Sequence, residues 1–103
     1  MPFLYVKAEL EMYPPEKGKK TPIYTGYSPN HKFGSSVYFM GEIDFFDNIP
    51  HIGGETNIVL IKFADTLNLE SYLSANFRWL VTEGSNVVGK ANFLKLLCKE
   101  PFP

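Results

Sequence analysis

One cysteine, Cys98, stands in a chain of 103 residues. A lone thiol excludes a disulfide within the chain and a zinc site made of cysteines alone, and it makes the cytoplasm the simplest address. An excess of either charge is also missing: ten Lys plus Arg stand against eleven Asp plus Glu, a formal charge of −1. That balance argues against a protein held to nucleic acid mainly by phosphate neutralisation, while leaving room for a local basic patch. No segment approaches the roughly 18 uninterrupted apolar residues of a membrane helix. The first residues, MPFLYVKAELEM, lack a basic leader followed by an apolar run, so a soluble, unprocessed chain without membrane contact is expected. There is no repeat, low-complexity tract or linker, and residues 1–103 read as one domain.

What the chain has in quantity is aromatic: nine Phe, six Tyr and one Trp. At this length folding hides about 65% of the surface an unfolded chain exposes, and each large ring buries roughly 150–250 Å². A single core is therefore feasible. VKAELEM alternates, with Val6, Ala8, Leu10 and Met12 facing one way and Lys7, Glu9 and Glu11 the other, as in a half-buried strand. Pro14-Pro15 ends it, since proline cannot donate to a ladder. SVYFMGEIDFF puts Val37, Phe39, Ile43 and Phe45 on one face, with Gly41 where a bend or bulge is least costly. TNIVLIKF is rich in β-branched residues, and FRWLVT sets Phe77, Trp79 and Val81 on one side. ADTLNLESYLSAN fits a helical turn or an irregular crossing, and residues 90–99 fit a strand about as well as a helix. Several strands joined by Gly- and Pro-rich connections favour an all-β barrel or sandwich.

Few residues here carry chemistry. GSNVVGKA, from Gly84 to Ala91, matches a phosphate-binding loop up to its last position, where Ala91 replaces the hydroxyl that magnesium requires. Glu83-Gly84-Ser85-Asn86 reads instead as a hairpin turn, with Gly and Asn suited to positive φ, so no nucleotide is expected. His31 and His51 sit in apparent loops at a spacing that matches no metal-ligand pattern. Cys98 beside Leu96 and Leu97 reads as a packed, inert thiol. Asp44 and Asp47 flank two phenylalanines, and alternation sends Asp44 to solvent, where it serves solubility. Catalytic residues, metal ligands and cofactors are expected to be none.

KGKKTPIYTGYSPNHKF, Lys17 to Phe33, sustains no helical or strand period and reads as a long barrel-crossing connection. Its Lys20-Thr21-Pro22, Gly26-Tyr27 and Pro29 are spaced as in the C-terminal β-barrel domain of translation elongation factor Tu, which the chain resembles. The likeness continues through Gly41-Glu42-Ile43, through Gly53-Gly54-Glu55, and through Arg78, Glu83, Gly84, Val88 and Gly89. It spans nearly the whole chain. The resemblance implies an all-β fold: a small closed antiparallel barrel of about six strands with Greek-key crossings. It also implies a non-catalytic domain that helps hold the T-arm of aminoacyl-tRNA, with RNA-facing positions at Lys20, Thr21, Ser35, Ser36, Glu83 and Gly84. Three family arginines are replaced here, by Ser28, Gly34 and the Ser85-Asn86 pair, which removes strong phosphate ligands.

Two binding functions follow. A protein–protein interaction module is favoured by near-neutral charge and by Tyr24, Tyr27 and Tyr38, ring types enriched at protein contacts. A translation accessory binding tRNA or ribosome would use Lys17, Lys19, Lys20 and Lys32 with the hairpin Glu83 to Asn86.

Overall fold

The computed structural model of the protein describes residues 3–64 and 69–100. Six strands close into one antiparallel barrel: β1 (Phe3–Met12), β2 (Asn30–Gly34), β3 (Val37–Asp44), β4 (Thr56–Ala64), β5 (Arg78–Glu83) and β6 (Asn86–Glu100). Around the barrel the order is β1-β4-β3-β2-β5-β6, with β6 returning to β1. Strands β2, β3 and β4 follow one another as neighbours, and β1 lies beside β4, which is a Greek key. The expected all-β barrel is therefore observed. Closure leaves β1 paired on both sides, from Phe3↔Ala64 to Glu11↔Thr56 and from Phe3↔Glu100 to Met12↔Gly89. Among the described residues no helix is long and apolar enough to cross a membrane.

Alternation decides what each strand buries. Leu4, Val6, Ala8, Leu10 and Met12 of β1 point inward, joined by Val59, Ile61 and Phe63 of β4 and by Trp79 and Val81 of β5. Residues 90–99, ambiguous by period, extend β6 as strand because β1 offers a partner along their length. The connection that left helix or crossing open holds a single 3₁₀ turn, Glu70–Tyr72; its first residues, 65–68, lie outside the described residues.

Four expectations need correction. The stretch Lys17 to Phe33 is not all connection, since its last residues form β2 between β3 and β5. His31 is consequently no loop residue: it is fully buried on β2. Trp79 Nε1–H donates to His31 Nδ1 at 2.9 Å, which leaves the proton on Nε2 to donate to the Gly41 carbonyl at 3.2 Å. Of the bend or bulge expected at Gly41 the bulge is absent, since the register irregularity lies between Lys32 and Gly34, and Gly41 is instead where β3 changes partner, pairing with β2 up to Met40 and with β4 from Gly41↔Phe63 onward. A Cβ at Gly41 would stand 2.7 Å from the Phe63 ring and 2.8 Å from His31 Nε2, so the glycine makes room for the histidine. Finally, Cys98 is exposed rather than packed, since the outer face of β6 carries it.

The connections gather at the two ends of the barrel. One collects the 13–29 crossing, the 45–55 connection and the β5–β6 turn. The opposite end collects the β2–β3 turn and the connection from β4 to β5.

Candidate functional site

The 13–29 crossing is folded by its own prolines and by the loop it overlies. Pro14 O accepts the amides of Lys17 and Gly18 at 2.8 and 2.9 Å, turning the chain back after β1. Farther on, Ile23 and His51 exchange both backbone hydrogen bonds, at 2.9 and 2.8 Å, and Tyr27 bridges to Ile43. The crossing is thereby strapped to the 45–55 connection.

Three of the sequence-predicted site residues meet at this end. Lys19 Nζ lies 3.0 Å from Glu83 Oε2, the Tyr27 hydroxyl donates to the same oxygen, and the Lys19 ammonium stands 5.5 Å from the Tyr27 ring centre. Burial, followed by the hydrogen bond and charge of Glu83, pushes the Tyr27 hydroxyl well above its ordinary value. Burial raises the Glu83 carboxyl, but the hydrogen bonds from Tyr27 and Lys19 and the Lys19 charge outweigh it and hold the group below its ordinary range. These side chains satisfy one another and pin the crossing to the hairpin. Lys20, itself exposed, folds back to donate to Pro15 O at 3.1 Å, and Lys17 and Thr21 are likewise exposed and outside this cluster.

Glu83 and Asn86 pair directly, leaving Gly84 and Ser85 as a two-residue turn. Gly84 alone has positive φ, +58°, the sign pattern of a type II′ hairpin; Asn86 does not need it. GSNVVGKA is thus a hairpin arm, with Val88 buried and Lys90 outside, 3.8 Å from Glu11. An exposed pair of this kind contributes about 0–1 kcal/mol. Lys90→Ala is expected to leave the thermal midpoint nearly unchanged, and calorimetry with ATP or GTP and magnesium is expected to show no heat of binding for either protein.

The remaining predicted positions do not join this cluster. Ser35 and Ser36 form the turn between β2 and β3 at the opposite end of the barrel. Lys32 sits on the outer wall, its Nζ 5.8 Å from the Tyr38 ring centre. One surface containing all of the expected contact positions therefore does not form.

Beside this cluster Tyr24 is joined by three apolar side chains that no sequence pattern singled out. Tyr24, Phe46, Ile49 and Ile52 are 53%, 65%, 58% and 56% exposed, all on the strapped pair of segments. Phe46 adopts φ +66°, a conformation bulky side chains seldom take. Its amide donates to Asp44 Oδ1 at 2.7 Å, and the Ile49 amide donates to Asp47 Oδ1 at 3.3 Å. Thr25 Oγ1 accepts the Phe45 amide at 2.9 Å and donates to Asp47 O at 2.9 Å. His51 Nε2 lies 2.9 and 3.1 Å from the two Asp47 oxygens, with its ring stacked on Phe45 at 4.1 Å. The two aspartates thus build the loop that displays the apolar side chains, a role that solvent exposure of Asp44 did not foretell. The legible signal was three large apolar residues within a Pro- and Gly-rich turn, where polar ones are usual.

Among the described residues no group of three or more His, Cys, Asp or Glu is placed to hold a metal ion. No protein-family model matches the chain, and no curated protein matches it.

Proposed function

We propose that the protein is a cytoplasmic, non-catalytic binding module that engages another protein through Tyr24, Phe46, Ile49 and Ile52. The observation that carries this reading is the locked apolar loop: four large side chains more than half in water, on segments held by backbone bridges and by Asp44 and Asp47. Soluble domains rarely group such side chains without a use for them. A loop fixed before binding also loses little entropy on docking. The resemblance to the elongation factor Tu C-terminal barrel supports a binding role over an enzymatic one. It also supplies the alternative, a translation accessory that binds tRNA or ribosome.

Lys17 and Lys20 separate the two readings better than Lys19, whose contacts with Glu83 and Tyr27 make it structural. Affinity capture from native cells is expected to retain a protein partner on the wild type and on the doubly charge-reversed Lys17→Glu, Lys20→Glu variant. Phe46→Ser with Ile49→Ser is expected to weaken that capture at least about tenfold, as loss of an interface hot spot does. Binding to tRNA is expected to be weak and to fall with salt at a log–log slope of about −0.7 to −0.9 per phosphate contacted. Submicromolar tRNA binding at physiological salt, lost on reversal of Lys17 and Lys20, would replace the protein reading with the translation one.

A further inference from the structure

The outer wall of β2, β5, β6 and β1 carries a second, differently built surface. Trp79 and Val81 point into the core, so Arg78 and Leu80 face out. Strand register then sets two rows: Lys32↔Leu80↔Lys90↔Glu11, and beside it Arg78↔Asn92↔Glu9. From β2 to β1 the first row thus reads cation, apolar, cation, carboxylate and the second, starting on β5, reads cation, amide, carboxylate, so that the cations Lys32 and Arg78 flank Leu80 on one side of the wall and the carboxylates Glu9 and Glu11 line the other. Lys90 is 3.8 Å from Glu11, whereas Arg78 is exposed and, among the described residues, makes no ion pair.

The wall is not flat. An open groove of about 360 Å³ lies between Lys32, Arg78, Leu80 and Lys90, with Gly34 also on its lining. A smaller hollow of about 160 Å³ adjoins it across Arg78 and Lys90, bounded by Glu9, Glu11 and Asn92. Asn92 Oδ1 is buried there and is the one such side-chain polar atom among the described residues without a hydrogen-bond partner.

We propose that this wall binds an extended peptide segment of a partner protein, lying across the strands with an acidic side chain at Lys32 and Arg78, an apolar one over Leu80, and a basic one at Glu9 and Asn92. Dimensions agree with this. Three interstrand spacings from β2 to β1 cover about 14 Å, and residues i and i+4 of an extended chain, which share a face with i+2, lie about 13.5 Å apart. The guanidinium of Arg78 can grip a carboxylate with two parallel hydrogen bonds. A nucleic-acid strand fits less well, because Glu9 and Glu11 repel its phosphates at one side of the wall. This inference extends the protein-binding reading to a separate wall of the barrel and is tested without the apolar loop, so either can fail alone.

The probe is the capped peptide acetyl-Glu-Ser-Phe-Ser-Lys-amide, titrated into the ¹⁵N-labelled protein. Saturable shifts are expected at Arg78, Leu80, Lys90 and Asn92. Arg78→Glu, an exposed change expected to keep the thermal midpoint, should weaken binding at least about tenfold, the lower end of the range for close charge pairs. Replacing the probe's glutamate by lysine should recover binding to that variant. No saturable shift up to millimolar peptide, shifts centred on residues 44–52, or equal affinity of the Arg78→Glu variant would overturn the proposal. So would poly-uridine RNA binding the same residues more tightly than the peptide.

Discussion

Acidification will remove about 3 kcal/mol of folding stability through His31 alone. Burial of the imidazole lowers its pKa from an ordinary value near 6.5 to about 4, and the hydrogen bond to the Gly41 carbonyl opposes this only in part. Geometry adds to the cost of burial: Nδ1 already accepts from Trp79, so a second ring proton would displace that donor inside the core. Between about pH 6.5 and about pH 4 the unfolded chain holds a proton here that the folded chain refuses. Stability therefore rises with pH across this window: the contribution is complete above it, is lost progressively within it, and changes no further below it. Urea unfolding across the window checks the loss, and the His31 ring shifts observed by NMR check its cause. A folded-state titration of His31 near 6.5 would refute the account.

Phe33→Ala is expected to cost about 3–5 kcal/mol, the range for truncating a large buried ring. Phe33 meets the rings of Phe39, Phe63, Tyr72, Phe77 and Trp79 at centroid distances of 5.0, 5.7, 5.7, 5.3 and 5.1 Å. It joins β2 to β3, β4, β5 and the connection before β5. Removing it leaves a void that five rigid rings cannot fill together, and edge-to-face pairs worth roughly 0.5–1.5 kcal/mol each beyond their area are lost. A domain of this size has about 5–15 kcal/mol in all. The variant should thus unfold at much lower urea than the wild type, and a loss below about 1 kcal/mol would mean that the rings repack.

The chain's alternation determined which side chains form the core. In β1 the inward set Val6, Ala8, Leu10 and Met12 follows from a period of two, a relation among neighbours that no distant residue can alter. The hairpin at Gly84 was equally local, because two residues and one positive φ suffice for it. Pairing between distant segments decided the rest. Asn30–Gly34 is short and holds a histidine, a lysine and a glycine, so it becomes a strand only because β3 and β5 flank it and Trp79 and Gly41 satisfy His31. Glu83 reads as a hairpin residue until the crossing brings Lys19 and Tyr27 onto its carboxylate. The same folding separates Ser35 and Ser36 from that hairpin, since β2 carries its turn to the other end of the barrel. The exposure of Phe46, Ile49 and Ile52 is set by hydrogen bonds from Thr25 and the Ile23–His51 bridge, contacts between segments far apart in sequence. Periodicity reports only what adjacent residues share, whereas burial, register and surface neighbours depend on which strands close the barrel.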